Sequence, residues 1–295
     1  MKATPPFVDA RQVRRNYARA AAGYDAAALL AREIGSRMLE RLDYVKITPH
    51  RVLDLGCGTG TTLAALGERY PQAQVLGADL SEPMLRAGLA PRTRLRWLMP
   101  FLRGPKSALV AADAAAQPFA GDSQGLVWSN LLLHWLADPQ PALREIHRVL
   151  EVGGLLMFST LGPDTLKELR ACFPGGEARS LRFIDMHDYG DMLVECGFAD
   201  PVMDAERLTV TYPSFDDLVA ELRRCGATNS LSVRPRGLTG RASWAAAREN
   251  YERLRQDGRL PATLEVVYGH AWKATPKTTA DGAAIVRFDP KQRLR

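Results

Sequence analysis

A run of glycines at residues 54–60, Asp-Leu-Gly-Cys-Gly-Thr-Gly, is the part of the chain best suited to hold a small molecule. Glycine has no Cβ, so the backbone of such a run can turn sharply and approach a ligand closely. The run follows an apolar stretch that predicts a strand, and a stretch typical of a helix comes after it. A strand that leads into a helix through a glycine turn predicts a nucleoside-binding site.

The spacing of the glycines separates two classes of nucleoside cofactor. A dinucleotide-binding loop has the pattern G-x-G-x-x-G, but the position of its third glycine is occupied here by Thr61. The pattern G-x-G-x-G therefore disfavours a nicotinamide dehydrogenase. A loop that has no pyrophosphate to bind can instead pass under the amino-acid end and the ribose of S-adenosylmethionine, where Asp54 is placed to attract the ammonium group.

Polar residues also follow the next three predicted strands. Asp79 ends the second strand, where a carboxylate can accept hydrogen bonds from both hydroxyls of a ribose. Asp113 follows the third strand and can accept a hydrogen bond from the amine of adenine. Asn130 ends the fourth strand, where the transferred methyl is expected to lie. The residues predicted to bind the cofactor are Asp54, Gly56, Cys57, Gly58, Gly60, Asp79, Leu80, Asp113, Ala114 and Asn130.

These residues can meet only if several strands end at one edge of a sheet. Strand and helix signals alternate from residue 51 to residue 160, which is typical of an α/β fold with a doubly wound, Rossmann-like parallel sheet. Later strands at 201–212 and 263–272 are expected to pair as an antiparallel edge. Apolar residues at helical spacing between residues 11 and 43 predict one or two helices before the sheet.

The chain therefore divides into three segments. Residues 1–50 form an N-terminal helical segment, residues 51–273 form the cofactor-binding domain, and residues 274–295 form a C-terminal tail. Within the domain, a helical cap is expected at about 214–260, inserted before the last strand. Its two helices are predicted to begin at the serine N-caps Ser214 and Ser243 and to end near Gly226 and Gly258. Ser81 is likewise predicted to be the N-cap of the helix after the second strand.

Composition and charge restrict the function further. Of the 295 residues, 46% are hydrophobic and 24% are charged, as in ordinary folded proteins. We find no apolar stretch long enough to span a membrane, and four scattered cysteines favour a cytoplasmic protein without disulfides or a metal site. The net charge of +6 is concentrated at residues 86–106 and 223–241, which favours an anionic partner. No nucleic-acid-binding motif accompanies this charge.

The region from residue 51 to residue 160 resembles the class I S-adenosylmethionine-dependent methyltransferases. Segments outside it are similar to the malonyl-[acyl-carrier protein] O-methyltransferase family of biotin synthesis, namely NYARAAAGYD (16–25), WSNLLLHW (128–135), Arg182-Phe183, TVTYPSFDDLVAELRRCGATN (209–229) and residues 268–272. The resemblance implies transfer of a methyl group to the free carboxylate of a malonyl thioester. It also implies that malonyl-loaded acyl carrier protein is the partner.

The implied reaction determines which substrate-binding residues we expect. A carboxylate has an ordinary pKa of ~4, so it is already a nucleophile at pH 7 and needs no general base. Accordingly, His134 is expected to be a packed histidine. Residues expected to hold the substrate at the catalytic centre are Tyr24, Asn130, Arg182 and Asn229. Residues expected to dock an acidic carrier protein are Arg15, Arg19, Arg223 and Arg224.

Two other functions remain open. A methyltransferase for another small acid, or for a free acyl-coenzyme A, would keep the same cofactor pocket. The segment 128–170, particularly GPDTLKELR at 162–170, also resembles a mitochondrial complex I assembly factor. That resemblance implies either hydroxylation of an arginine or a binding module, because a shared fold does not determine the function.

Overall fold

A seven-stranded mixed sheet lies at the centre of the structure. The computed structural model describes residues 8–89, 108–173, 181–234, 237 and 239–275. The strands are β1 (Arg51–Leu55), β2 (Gln74–Asp79), β3 (Ala108–Ala111), β4 (Gln124–Asn130), β5 (Leu150–Leu161), β6 (Ala199–Tyr212) and β7 (Leu260–Trp272). Their order across the sheet is β3-β2-β1-β4-β5-β7-β6.

The sheet consists of a parallel part and an antiparallel edge. The first five strands are parallel, and β1 and β4 are buried along almost their whole length, as expected for strands covered on both faces. By contrast, β6 alternates between exposed and half-buried residues and pairs only with β7 among the described strands. Both of these last strands run antiparallel to their neighbours. The predicted doubly wound sheet with an antiparallel edge is therefore confirmed.

The helices cover both faces of the sheet. They are α1 (Ala10–Ala20), α2 (Tyr24–Ala27), α3 (Leu29–Arg41), α4 (Leu63–Arg69), α5 (82–89), α6 (Gln140–Val149), α7 (Lys167–Cys172), α8 (Met186–Glu195), α9 (Phe215–Arg224) and α10 (Arg241–Glu252). The prediction of one or two N-terminal helices is wrong, because Ala28 leaves the helical conformation and separates α2 from α3. Within the described residues, we find no helix with the length and apolar character of a membrane span.

Three apolar clusters hold these elements together. Helices α6 and α8 pack on one face of the sheet, and α3 and α4 pack on the other, where Ile34 and Met38 join Trp128 in the core. A third cluster joins α7, α9 and α10 to the ends of β6 and β7, and its centre is formed by Phe215 and Tyr251. The helices between β6 and β7 therefore have a small apolar core of their own.

Helix ends differ from the sequence predictions at two serines. Ser214 is the N-cap of α9 and accepts a hydrogen bond from Asp217 N at 3.2 Å, as predicted. The predicted N-cap at Ser243 is wrong, since α10 begins at Arg241 after Gly240 and has no side-chain cap. Ser81 precedes α5 as predicted, but its buried hydroxyl has no hydrogen-bond partner among the described residues.

Some sequence predictions lie outside the described residues. Most of the basic run at 86–106 belongs to the undescribed range 90–107, and three positions of the run 223–241 are likewise undescribed. The predicted C-terminal tail is described only at residues 274 and 275.

Candidate active site

The glycine turn joins the ends of β1 and β2. Gly56, Gly58 and Gly60 all have positive φ angles, of 78°, 57° and 75°, which residues with a side chain rarely adopt. The backbone N–H groups of Gly56 and Cys57 both donate to Ala78 O, at 2.7 Å and 3.1 Å. The loop is therefore fixed to the neighbouring strand by its own backbone.

Asp79 is held in place by the same turn. Its Oδ2 accepts a hydrogen bond from Gly58 N at 2.9 Å, and its Oδ1 accepts one from Ser81 N at 2.7 Å. Burial raises the pKa of Asp79, while these two backbone hydrogen bonds lower it. Since a carboxylate oxygen can accept more than one hydrogen bond, both oxygens remain able to bind a ligand.

Asp54 lies in the interior behind the turn. Its side chain is 2% exposed, and Oδ2 has no hydrogen-bond partner among the described residues. Burial, followed by repulsion from the charge of Asp79, raises the pKa of Asp54 to about 8. The carboxyl faces a side pocket of about 40 Å³ that is also lined by Gly56, Cys57 and Gly58. An unpartnered buried carboxyl of this kind is suited to a cationic ligand group.

The main cavity has a volume of about 490 Å³ and extends from the glycine turn to the helices between β6 and β7. Its first end, the turn end, is lined by Gly56, Gly58, Asp79, Leu80, Asp113 and Ala114. Its second end, the cap end, is apolar and is lined by Leu166, Leu169, Phe173, Leu218, Leu222 and Trp244. The cavity thus joins a polar end at the glycine turn to an apolar end beside the helices between β6 and β7.

The N-terminal helices cover the turn end. Tyr17 and Tyr24 line the main cavity, with ring centroids 6.1 Å apart, and Tyr17 also contacts Trp135 edge-on at 5.6 Å. Asp25 accepts a hydrogen bond from Thr59 Oγ1 at 2.5 Å, which connects the residues of α2 to the glycine turn. These contacts hold the N-terminal helices against the turn end of the cavity.

The predicted cofactor residues mostly surround the two cavities. Gly60 lines neither of them, because it is buried behind the turn and donates from its N–H to Cys57 O at 2.8 Å. Asp113 is exposed at the rim of the main cavity, and its Oδ1 accepts from Ala115 N at 2.9 Å. The cofactor prediction therefore describes one connected region.

The predicted substrate residues are more scattered. Tyr24 and Asn229 line the main cavity. Asn130 lines it too, but its Nδ2 donates to Ala31 O at 2.8 Å and its Oδ1 accepts from Ser159 Oγ at 2.7 Å, so its amide fastens α3 to the sheet. Arg182 is exposed and lies outside the lining, although its neighbours Leu181 and Phe183 belong to it.

His134 is confirmed as a packed histidine. It is buried in the cavity wall, and its Nδ1 lies 3.3 Å from Thr160 Oγ1. Burial lowers the pKa of His134 to about 3, so the imidazole is neutral at pH 7. A neutral, packed imidazole agrees with a reaction that needs no general base.

Sequence reasoning overlooked the face that α1 turns toward the cavity. Ala10, Val13, Arg14 and Tyr17 all line it, at the i, i+3, i+4 and i+7 spacing of one helical face. That spacing was visible in the sequence, but nothing in the pattern showed which surface the face would meet. The Asp25–Thr59 hydrogen bond, between residues 34 positions apart, had no sequence signal.

Comparison with known proteins identifies the family. A family model described as a methyltransferase domain matches residues 53–158. The malonyl-[acyl-carrier protein] O-methyltransferase of Gallionella capsiferriformans is 51% identical, over 95% of this chain and 96% of that protein. The protein of the same name from Laribacter hongkongensis is also 51% identical, over 96% and 97% of the two chains. This chain belongs to the malonyl-[acyl-carrier protein] O-methyltransferase family.

Solved structures with the same fold are more distant from this methyltransferase. The Bacillus subtilis protein YcgJ has a TM-score of 0.58 at 17% identity, over 83% of this chain and all of that one. Phosphoethanolamine N-methyltransferase 2 of Haemonchus contortus has a TM-score of 0.53 at 19% identity, over 82% of this chain and 52% of that one. At such identities the likeness establishes the fold alone.

The enzyme is a methyltransferase whose cofactor is S-adenosyl-L-methionine. The residues at the turn end fit this cofactor. The unpartnered Asp54 Oδ2 complements an ammonium group, and Asp79 is held in place to accept from a ribose. Gly58 lines the cavity with a φ of 57°, which residues with a side chain rarely adopt, so glycine at this position allows the backbone to approach a ligand.

Proposed function

We propose that the enzyme transfers a methyl group from S-adenosyl-L-methionine to the free carboxylate of a malonyl thioester on an acyl carrier protein, an early step of biotin biosynthesis. The observation that carries this proposal is the 51% identity to enzymes named for that reaction over nearly the full length of both chains. The matched length includes the residues that line the cap end. This favours the carboxyl methyltransferase over an arginine hydroxylase or a binding module.

The chemistry requires positioning more than proton transfer. Held by Asp54 and Asp79, S-adenosyl-L-methionine would supply a methyl group on a positively charged sulfur, which a carboxylate oxygen would accept with a neutral thioether as the leaving group. No proton moves, which agrees with the neutral His134 in the cavity wall. The enzyme therefore accelerates the reaction by holding the two reacting atoms in line and by excluding water.

We assign the substrate carboxylate to hydrogen-bond donors that line the main cavity. Burial raises the pKa of Tyr24 well above its ordinary value, so its hydroxyl keeps its proton and can donate. Asn229 lines the same cavity and can donate from its amide. Asn130 and Arg182 remain candidates, Asn130 through the position it gives α3 and Arg182 through its place between Leu181 and Phe183, which line the cavity.

The division of the chain remains a proposal as well. We propose that residues 214–260 act as a cap over the domain formed by residues 51–273, with residues 1–50 covering the cofactor and residues 274–295 as a tail. The apolar lining contributed by Leu218, Leu222 and Trp244 supports this role, because an apolar cover excludes water from the reacting groups.

We propose that an acidic carrier protein docks on basic residues of α1 and α9. Arg15 and Arg19 lie one turn apart on α1, and Arg223 and Arg224 end α9, and all four are exposed. The segment after α9 is fixed to α1, because Asn16 Nδ2 donates to Ser230 Oγ at 3.1 Å. Such a surface would be small and sensitive to salt. We place this reaction in the cytoplasm.

Mass spectrometry of malonyl-acyl carrier protein tests the proposal. Incubation with the enzyme and S-adenosylmethionine should add the mass of one methyl ester to the malonyl group. Acetyl-acyl carrier protein is the matched control, since it has no free carboxylate and should remain unchanged. Malonyl-coenzyme A, assayed beside it, measures how far the carrier protein contributes. An unmodified malonyl group would overturn the proposed function.

A further inference from the structure

We propose that Arg14 and Arg223 form a binding site for a phosphodiester at the mouth of the main cavity. The ligand is the prosthetic arm of the substrate, because acyl carrier proteins carry their acyl groups as thioesters on a pantetheine chain attached through a phosphodiester. The inference rests on the proposed function and extends it to the arm between the acyl group and the carrier protein.

The first support is the presence of two cationic side chains in the cavity lining. Among the described residues that line the main cavity, Arg14 and Arg223 are the only lysine or arginine side chains. Neither side chain has a hydrogen bond or an ion pair with another described residue. Most of the other described arginines have a hydrogen bond or an ion pair, for example Arg234 with Asp9 at 3.0 Å and Arg248 with Asp216 at 2.7 Å. Two guanidinium groups beside one cavity are thus available to an anion.

The second support is the position of the two arginines on their helices. Each lies one helical turn from the contact between α1 and the end of α9, where a Cβ on Gly226 would approach Tyr17 Cα to 3.3 Å. Both arginines are exposed, whereas the carboxylates of Asp54 and Asp79 lie deep at the turn end. The two cations are therefore at the solvent side of the cavity, where an entering chain would pass.

The third support is the chemistry of the neighbouring groups. The guanidinium of Arg223 lies 5.8 Å from the ring centroid of Trp244, a contact that restricts its position. Glu221, the acid nearest in sequence, also lines the cavity, where its carboxylate interacts with the Tyr212 hydroxyl and raises the pKa of that hydroxyl. Arginine binds phosphate oxygens through two parallel N–H groups, which makes it well suited to a phosphodiester.

A comparison of two small substrates tests the site. Malonyl-4′-phosphopantetheine carries the phosphate and malonyl-pantetheine does not, and both carry the reacting carboxylate. The double variant Arg14→Gln/Arg223→Gln should raise KM for the phosphorylated substrate by about tenfold or more, as expected for loss of charge-assisted hydrogen bonds. Its KM for malonyl-pantetheine should stay within about twofold of the unaltered enzyme, because no phosphate contact is lost.

Arg11→Gln is the matched control, since Arg11 is an exposed arginine of α1 that does not line the cavity. It should leave KM for both substrates unchanged. An equal rise of KM for both substrates in the double variant, or no rise for either, would overturn the site.

A binding measurement keeps the inference separate from the proposed function. Calorimetric titration with 4′-phosphopantetheine, compared with pantetheine, needs no methyl transfer and no malonyl group. The unaltered enzyme should bind the phosphorylated arm more tightly, and the double variant should lose that preference. If the enzyme prefers the phosphorylated arm but methylates no malonyl thioester, the proposed function is wrong and the phosphate site stands. If the enzyme methylates malonyl thioesters but does not prefer the phosphorylated arm, the phosphate site is wrong and the proposed function stands.

Discussion

The two ends of the main cavity are built in different ways. At the turn end, the geometry is set by backbone groups of two adjacent strands, as when Gly58 N and Ser81 N both donate to Asp79. At the cap end, the wall is formed by apolar side chains from α7, α9 and α10, which are far apart in the sequence. The residues of the turn end therefore lie in short contiguous motifs. The cap end, by contrast, forms only when helices that are distant in the sequence pack together.

The turn end and the cap end also differ in how firmly their conformation is fixed. Positive φ angles at the glycines and hydrogen bonds to Ala78 O leave the turn with little conformational choice. The cap end is held by its own small apolar cluster, which among the described residues meets the sheet at the ends of β6 and β7. We expect substitutions at the turn end to weaken cofactor binding, and substitutions at the cap end to change substrate affinity or stability by modest amounts.

Asp79→Ala should have the largest effect. It removes an acceptor for the ribose and the group that orients Gly58 N, and we expect cofactor affinity to fall by about a hundredfold or more, as for two hydrogen bonds to a charged group. Calorimetric titration with S-adenosylmethionine measures the loss. Asp113→Ala is the comparison, since Asp113 is exposed and should cost about tenfold or less. Normal cofactor binding by Asp79→Ala would show that Asp79 does not hold the cofactor at the turn end.

The pH dependence of cofactor binding should reveal Asp54. Its pKa of about 8 in the free enzyme keeps the carboxyl protonated at pH 7, and a bound ammonium group favours the ionised form. At pH 7, binding should therefore release close to one proton, and affinity should rise as the pH rises toward 8. Calorimetry in buffers of different ionisation enthalpy measures the number of protons released when the cofactor binds. Asp54→Asn should bind with no such release, and equal release by both proteins would exclude Asp54 as the source.

The raised pKa of Asp54 also predicts how the stability of the free enzyme depends on pH. A carboxyl whose pKa is raised in the folded state favours folding while it stays protonated. Its contribution is complete below the ordinary pKa of about 4 and is lost as the pH rises toward 8. Denaturation midpoints measured between those pH values should therefore fall more steeply for the unaltered enzyme than for Asp54→Asn.

Arg182→Ala should have a smaller effect, confined to the substrate. Cofactor affinity should remain unchanged, because Arg182 is exposed and lies outside the cavity lining. If the arginine contacts the malonyl carboxylate when substrate binds, KM should rise by about tenfold. Steady-state kinetics with malonyl-acyl carrier protein measures this rise, and an unchanged KM would remove Arg182 from the substrate site.

The smallest expected effect concerns the caps of the two helices at the cap end. Ser214→Ala removes the hydrogen bond to Asp217 N and should lower the free energy of unfolding by about 1 kcal/mol. Ser243→Ala is the matched control, since Ser243 lies inside α10 and caps nothing; it should change stability by less than about 0.5 kcal/mol. Urea denaturation measures both, and a larger loss at Ser243 would contradict the observed start of α10.

Much of the fold and the cofactor region could be predicted from the sequence. The alternation of strands and helices predicted the doubly wound sheet, and the glycine spacing with Asp54 and Asp79 predicted the turn end. Predictions of helix ends were less accurate. A serine at the right distance specified α9 but not α10, because whether a hydroxyl meets a free N–H depends on where packing starts the helix.

By itself, the sequence determined the parts whose physics is local: glycines that permit a turn, acids that end strands, and apolar patterns that select a sheet. Only the tertiary structure decided which surfaces meet. It placed Arg14 and Tyr17 of α1 beside the cavity, engaged the amide of Asn130 with Ala31 O, and left Arg182 outside the wall. The reason is that contacts between distant segments depend on how whole elements pack, and the periodicity of one helix shows that it has a face without showing what that face will touch.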